Sequence, residues 1–206
     1  AGLASNTVVI FTSDNGGLAT SEGSPTCNAP LAEGKGWMYE GGTREPFIVR
    51  WPGKMPANTV SDQVICLNDL AATFAGIFGA RLPKGQAEDS FDVLRAFTEA
   101  KPGSPVRDHV ILQAANATYA IRMGEWKLIE RSDAPQFESA RNKRKAATAE
   151  KKRKVAANKP DELYNLKTDP AETRDVRAEN AELAAKMKKL LNDARQRGYT
   201  RPGAGG

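Results

Sequence analysis

The sequence predicts an α/β fold in two parts: a first part built on a buried central sheet, then a small antiparallel sheet with a C-terminal helix. The first half contains short apolar, β-branched runs that end in glycine or proline turns, as strands of a large sheet do. Shorter alternating segments begin near Val106, and apolar residues at helical spacing follow towards the end. We therefore expect residues 1–105 to belong to the central-sheet domain and residues 106–206 to the small subdomain.

Positive charge is concentrated in one segment. The 206 residues include 30 Lys or Arg and 25 Asp or Glu, which gives a net charge of +5. Residues 139–159, SARNKRKAATAEKKRKVAANK, hold nine basic residues and one acid, a net +8 that leaves −3 for the rest. The basic character therefore belongs to this insertion and not to the fold. No apolar run is long enough to cross a bilayer, so we expect no membrane span.

The first predicted strand ends at a candidate ligand site. Residues 7–17 read TVVIFTSDNGG, and the apolar run 8–11 is typical of a strand buried on both faces of a parallel-type sheet. Such sheets bind ligands at the carboxyl ends of their strands, which is where Asp14 and Asn15 fall. Their carboxylate and carbonyl oxygens suit a hard cation such as calcium. A simple Asn-Gly turn is the alternative interpretation.

Two more elements are predicted in the first part. FIVRW, residues 47–51, has the composition of a second buried strand. Between residues 61 and 79, apolar residues recur at three- and four-residue steps, which predicts an amphipathic helix capped by Ser61 or Asp62 and ended by Gly79. The apolar positions of this helix are Val64, Leu67, Leu70, Ala71, Phe74, Ile77 and Phe78.

The second part is predicted to be an antiparallel meander covered by a helix. HVILQA, TYAIRM, WKLIE and ELYNL are short strand-like segments separated by turn residues or, before the last, by the basic insertion. Residues 179–198 form a terminal helix that can cover one face of this sheet. Its apolar positions are Leu183, Met187, Leu190 and Leu191.

Cysteine and histidine are scarce. Two cysteines, Cys27 and Cys66, and one histidine exclude a disulfide framework and a multi-histidine zinc site. We expect both cysteines to be small residues of a packed core. Candidates for substrate contacts at the edge of the small subdomain are His109, Gln113, Asn116 and Thr118.

A glycine-flanked lysine is the sharpest motif. Residues 28–46 read NAPLAEGKGWMYEGGTREP, in which Gly34 and Gly36 flank Lys35. Glycines on both sides let the backbone approach a bound group closely while the lysine presents its ammonium as a point charge. An anionic tetrahedral group is the natural ligand. For the triplet alone, an exposed lysine in a flexible loop is the simpler interpretation.

The order of these motifs resembles the sulfatases, the formylglycine-dependent members of the alkaline phosphatase-like superfamily. VVIFTSDNGG followed by NAPLAEGKGWMYEGGTREPFIVRWPG is similar to the family's central and downstream motifs. YAIRMGEWKLIE and ELYNLKTDPAE are similar to strands of its small C-terminal subdomain. The resemblance covers nearly all of the chain except the basic insertion. It implies an alkaline phosphatase-like fold, of which this chain would be the C-terminal part of the large central sheet together with the small antiparallel subdomain and its C-terminal helix. It also implies calcium-dependent hydrolysis of sulfate monoesters, with sulfated carbohydrates as the expected substrates.

The resemblance also implies roles for individual residues. Asp14 and Asn15 match two calcium ligands, and Lys35 matches the lysine that contacts the substrate sulfate. Glu40 and Arg44 match positions that support the loop through ion pairs. A formylglycine nucleophile, made from Cys or Ser in a Cys/Ser-x-Pro-x-Arg motif, and a periplasmic or secreted location are also implied.

The sequence departs from the family pattern in one respect. It contains no Cys/Ser-x-Pro-x-Arg, since the proline after Cys27 stands one position too late and no arginine follows. We expect the nucleophile and the remaining calcium ligands upstream of Ala1, so the chain should be an inactive C-terminal portion with part of a metal site.

Two alternative functions are considered. A phosphodiesterase or phosphonate monoester hydrolase of the same superfamily shares the fold, although the lysine and Glu-Gly-Gly motifs favour sulfate. The segment RNKRKAATAEKKRK could instead mark a polyanion-binding module that acts by counterion release. It has no aromatic residue for base stacking, so a solvated insertion is favoured and no nucleic-acid partner is expected.

Overall fold

A computed structural model describes residues 2–18, 27–114, 118–130 and 160–204. The chain divides into two compact units, one made of Ala1–Asp14, Pro46–Val110 and Asn192–Gly206, the other of Asn15–Glu45 and Ile111–Leu191. The basic segment 139–159 and Asn116 lie outside the described residues. The proposed division at residues 105 and 106 stays a prediction.

Ten helices and strands are described, after a 3₁₀ turn at Ala4–Asn6. In chain order they are β1 (Val9–Thr12), α1 (Glu40–Thr43), β2 (Phe47–Arg50), α2 (Asp69–Ile77), α3 (Leu94–Thr98), β3 (Val110–Gln113), β4 (Tyr119–Met123), β5 (Trp126–Ile129), β6 (Glu162–Asn165) and α4 (Ala181–Arg197). None of the helices in these ranges combines the length and the apolar character needed to cross a bilayer.

Strands β1 and β2 of the first unit form an antiparallel pair in which Phe11 lies opposite Ile48. Both strands are as predicted; they pair antiparallel in this chain, and burial of β1 on both faces of a larger sheet stays a prediction. Side chains alternate along a strand, and on one face Val9, Phe11 and Ile48 are 50%, 61% and 61% exposed, because no described element covers it. Phe47 and Val49 occupy the other face and pack against Val93, Ala96 and Phe97.

Helix α2 is shorter than predicted and begins at Asp69, well after the expected cap at Ser61 or Asp62. A residue before α2 makes a hydrogen bond with a distant part of the chain instead. The side-chain carbonyl of Gln63 accepts the Val106 N–H at 2.9 Å, which holds this stretch outside a helix. The predicted end is confirmed, since Gly79 follows the last turn with φ +65°, the left-handed conformation that favours glycine.

Asp69 is the structural anchor of the first unit. Its carboxylate is fully buried and accepts two hydrogen bonds from the Arg107 guanidinium, at 2.6 and 2.7 Å. It also accepts the backbone N–H groups of Cys66 at 2.8 Å and Phe91 at 3.0 Å. One side chain therefore fixes the start of α2, the segment before α3 and the approach to β3.

The second unit contains the predicted meander, with strand order β3-β4-β5-β6. The pairs β4–β5 and β5–β6 are antiparallel, and Leu128 lies between Ile121 and Leu163 across the three strands. These three side chains form a buried cluster with residues of α4, namely Ala184, Met187 and Leu191. The prediction that the terminal helix covers one face of the sheet is confirmed.

The other face of this sheet packs against the lysine loop. Ala120 and Ile129 alternate with the helix-facing residues, and they cluster with Met38 and Tyr164. The Tyr39 ring meets the Tyr164 ring edge-on at 6.2 Å. The sheet therefore supports a helix on one face and residues of the loop 28–46 on the other.

We expect Asp69→Asn to lower the free energy of unfolding by about 3–5 kcal/mol, because it leaves the Arg107 charge buried without its counter-ion. Urea denaturation monitored by circular dichroism measures this change. The control is Arg95→Ala, which removes the exposed Arg95–Glu99 pair and should leave the denaturation midpoint unchanged. Equal effects of the two variants would contradict the anchoring role of Asp69.

Candidate anion-binding and metal site

Lys35 lies exposed at the tip of a tightly bonded loop. Its own backbone N–H donates to the Gly17 carbonyl at 2.8 Å, and the Trp37 N–H donates to the Gly34 carbonyl at 3.0 Å. Gly36 has φ +91°, so the turn needs a residue without a side chain at this position. The backbone around Lys35 is thereby fixed while its ammonium faces solvent.

The SDNGG turn and the lysine loop are joined by backbone hydrogen bonds. The Gly16 N–H donates to the Gly42 carbonyl at 3.1 Å, in addition to the bond between Lys35 and Gly17. The Asn28 side-chain amide donates to the carbonyls of Gly17 at 3.0 Å and Glu33 at 2.9 Å. Two motifs that are separate in the sequence thus form one local structure.

Close packing explains two of the glycines in this structure. A Cβ atom on Gly16 would meet the carbonyl of Gly41, and a Cβ atom on Gly42 would meet the carbonyl of Gly34. All of these contacts are with backbone atoms, which cannot rotate away as a side chain can. Glycine is therefore required where the turn, the lysine loop and α1 meet.

Asp14 and Asn15 lie between the end of β1 at Thr12 and this glycine turn. The Asp14 side chain is exposed and Asn15 is half-buried, and neither takes part in a hydrogen bond or ion pair with another described residue. A carboxylate and an amide oxygen fit calcium in kind, but calcium takes about six to eight oxygen ligands. In the described ranges no group of three or more His, Cys, Asp or Glu could hold a metal ion. These two residues therefore fit part of a calcium site.

A buried cluster of four charges supports α1 from behind. The Glu40 carboxylate is only 2% exposed, and its two oxygens each lie 3.0 Å from a cation, Lys127 Nζ and Arg122 Nη1. The Glu172 carboxylate lies 3.2 Å from the same Lys127 ammonium. Two carboxylates and two cations thus compensate one another between α1 and the sheet. The expected supporting role of Glu40 is confirmed, whereas exposed Arg44 approaches the Glu40 carboxylate only to 4.0 Å.

Glu172 also caps the short helix α1. Its Oε2 accepts the Glu40 backbone N–H at 2.5 Å, although its own backbone has the uncommon φ of +50° for a non-glycine residue. Burial raises the pKa of the Glu172 carboxyl above its ordinary value of 4.5, and the neighbouring Lys127 charge opposes that rise.

Sequence reasoning missed three of these four charged residues. In WKLIE, Lys127 alternates with apolar Trp126 and Leu128, a pattern typical of a solvent-facing lysine on a half-buried strand. Glu172 follows a turn, where an acidic residue is ordinary. No local pattern shows that both side chains meet Glu40, because the second face of the sheet is buried by a segment more than eighty residues earlier.

The predicted substrate-contact residues and the two cysteines differ in how far they are buried. Thr118 is buried, so it does not offer a surface contact, whereas Gln113 at the end of β3 is exposed. Burial and the Arg107 charge lower the pKa of His109. The expectation that Cys27 is a core residue is wrong: it is an exposed free thiol in a Gly-, Ser- and Pro-rich stretch, and Cys66 is half-buried.

Two family models match the chain in succession. The sulfatase model matches residues 1–80, and the model described as the C-terminal region of aryl-sulfatase matches residues 106–198. An N-acetylgalactosamine-6-O-sulfatase of Bacteroides thetaiotaomicron is 32% identical over 95% of this chain and 37% of its own length. Human arylsulfatase A is 31% identical over 85% of this chain and 34% of its own length.

Solved structures agree with these matches. A structure from work on glycosaminoglycan metabolism by Bacteroides thetaiotaomicron superposes with a TM-score of 0.77 at 31% identity, over 95% of this chain and 40% of that one. Ps i-CgsB in complex with a neocarrahexaose gives a TM-score of 0.69 at 27% identity, over 92% of this chain and 36% of that one. The fold is that of the alkaline phosphatase-like hydrolases, and the chain belongs to the sulfatase family.

Gly42→Ala should lower the free energy of unfolding by at least about 1–3 kcal/mol, because the added methyl group meets the carbonyls of Gly34 and Trp37. Urea denaturation measures the loss, and limited proteolysis within residues 28–46 locates it. The matched control is Gly103→Ala, where nothing lies within 4 Å of the added atom. If both variants behave like wild type, the backbone is less closely packed than described.

The raised pKa of Glu172 predicts a pH effect on stability. A carboxyl group with a raised pKa in the folded state contributes stability that is present below its unfolded pKa and is lost as pH rises through its folded pKa. Since its ordinary pKa is 4.5, the free energy of unfolding of wild type should fall relative to Glu172→Gln as pH rises from 4.5 towards neutrality. Urea denaturation of both proteins at several pH values measures the difference, and a parallel pH dependence would contradict the shift.

Proposed function

We propose that the whole protein to which this chain belongs hydrolyses sulfate monoesters, with Lys35 as a group that contacts the sulfate. The observation that carries the proposal is the hydrogen bond from the Lys35 N–H to the Gly17 carbonyl, which ties the lysine loop to the SDNGG turn. This bond holds the lysine loop against the glycines that follow Asn15 in the sequence. The sulfatase names of the relatives support the reaction class.

The charge of the substrate explains why a lysine is needed. A sulfate monoester is anionic and repels an attacking nucleophile, so fixed positive groups must face its oxygens while charge shifts during the reaction. The Lys35 ammonium can donate hydrogen bonds to a sulfuryl oxygen, and its backbone is held in advance by Gly17. Preorganisation of this kind removes the cost of reorienting the group during reaction.

Asp14 and Asn15 are proposed to hold calcium together with ligands from other parts of the whole protein. Bound calcium would supply further positive charge beside the sulfate oxygens. The formylglycine nucleophile typical of the family has no source in this sequence, which lacks Cys/Ser-x-Pro-x-Arg. We propose that the nucleophile too lies outside these 206 residues.

Sulfated glycans are the proposed substrates. Three relatives support this class: the Bacteroides N-acetylgalactosamine-6-O-sulfatase, a Sus scrofa N-acetylgalactosamine-6-sulfatase that is 36% identical over 61% of this chain, and the neocarrahexaose-bound structure. A 6-sulfated N-acetylgalactosamine unit is therefore the first substrate to test. An extracytoplasmic location, where calcium is plentiful, is part of the same proposal.

In the whole protein, Lys35→Ala should lower kcat/KM for an aryl sulfate or a 6-sulfated N-acetylgalactosaminide by about 10²–10³-fold, the usual effect of losing one preorganised donor. Sulfate release measured by ion chromatography gives the rates. Lys101→Ala removes an exposed lysine outside the motif and serves as control.

Two further comparisons complete this test. The 206-residue chain on its own should release no sulfate, and a calcium chelator should inactivate the whole protein reversibly. An active isolated chain, or an active whole protein with Lys35→Ala at wild-type rate, would overturn the proposal.

A further inference from the structure

Lys127 is a fully buried lysine whose ammonium faces three oxygen atoms. Its Nζ lies 3.0 Å from Glu40 Oε1, 3.2 Å from Glu172 Oε1 and 3.4 Å from Thr43 Oγ1. The contacts with Glu40 and Thr43 are hydrogen bonds, and the contact with Glu172 Oε1 is an ion pair without hydrogen-bond geometry. An exposed site on β5 would not need such an arrangement, because water would solvate the charge.

Two of the three oxygens belong to the two ends of α1. Glu40 is the first residue of this four-residue helix and Thr43 is the last. One ammonium from the sheet therefore holds the whole helix, and Glu172 adds a hydrogen bond to the Glu40 N–H. A helix this short has no stability by itself, so the sheet determines where α1 lies.

The position of α1 is transmitted to Lys35 through the backbone. Gly42, inside α1, is packed against the Gly34 carbonyl, and Gly34 directly precedes Lys35. The Gly42 carbonyl also accepts the Gly16 N–H, next to Gly17, which holds the Lys35 backbone. A shift of α1 on the sheet would therefore move the Gly34 carbonyl and the Gly16–Gly17 backbone, which lie on either side of the Lys35 backbone.

We propose that Lys127 is a positioning residue, which through Glu40 and α1 holds the Lys35 ammonium at the place where it meets the sulfate. The proposal rests on the proposed sulfatase function. An apolar residue in place of this cluster could stabilise the fold equally well, since a buried ion pair yields little net stability. The hydrogen bonds of the Lys127 ammonium define one position of α1 on the sheet, because they hold both ends of the helix. Apolar packing alone would allow the helix to slide.

A double-mutant cycle in the whole protein separates positioning from general stability. Lys127→Met keeps an unbranched side chain of similar bulk and removes the charged end. If Lys127 acts through Lys35, this variant lowers kcat/KM by about 10–100-fold when Lys35 is present, as a displacement of about 1 Å does. In the Lys35→Ala background it should change kcat/KM by less than about threefold, because the group that it positions is gone. Lys127→Arg should restore most of the rate.

Lys188 provides the matched control. It lies on α4, its ammonium also has two carboxylate partners, Glu130 at 2.7 Å and Asp161 at 2.9 Å, and none of these contacts involves α1. Lys188→Met should change kcat/KM equally, by less than about threefold, in both backgrounds. If Lys127→Met does not fold, Glu172→Gln takes its place with the same expectation, since it is isosteric and weakens the same cluster.

The outcomes distinguish the two proposals. A wild-type protein that neither cleaves nor binds a sulfate ester overturns the proposed function, and this inference with it. If wild type is active and the Lys127 substitution lowers kcat/KM by the same factor with and without Lys35, the positioning role alone is overturned. Loss of the effect in the Lys35→Ala background, together with rescue by arginine, supports it.

Discussion

The burial of the Glu40 carboxylate is the constraint on which the candidate site depends. Removing a carboxylate from water costs several kcal/mol unless cations replace the lost hydration. This cost is on the order of the whole free energy of unfolding of a single domain. Here Lys127 and Arg122 each approach one carboxylate oxygen to 3.0 Å. Helix α1 can therefore form only where β4 and β5 supply these cations, and the loop that carries Lys35 depends on the completed sheet.

The meander has two faces with different tasks. One face packs the apolar side chains Ile121, Leu128 and Leu163 against α4, which supplies the hydrophobic core of this unit. The other face combines apolar packing by Met38 with directed contacts, such as the hydrogen bond from Tyr39 to Glu162 at 2.9 Å. Apolar contacts provide stability without direction, whereas the polar contacts define one position of the loop.

The fold and the chemistry are conveyed by different residues in this family. The chain superposes on a neocarrahexaose-bound structure and on one from glycosaminoglycan metabolism, so the shared fold does not decide the sugar. The Lys35 ammonium is suited to an anion such as sulfate, and the Asp14 and Asn15 oxygens are suited to a cation. Neither group reads the sugar to which a sulfate is attached. Under the proposed function, substrate choice comes from side chains around these groups, and exposed residues such as Gln113 can vary without disturbing the buried cluster.

Local sequence determined the strands of the meander, the covering helix and the two glycine-rich motifs, because their periodicity and turn chemistry act over a few residues. It also indicated the family, since several motifs occur in a defined order. Only the tertiary structure decided that α2 starts at Asp69, whose buried pair with Arg107 outweighs the helical pattern before it. The same holds for Lys127 and Glu172, which look like surface residues in the sequence. Their burial follows from contacts with Glu40, 87 and 132 residues away along the chain, and no local pattern can encode such a pairing.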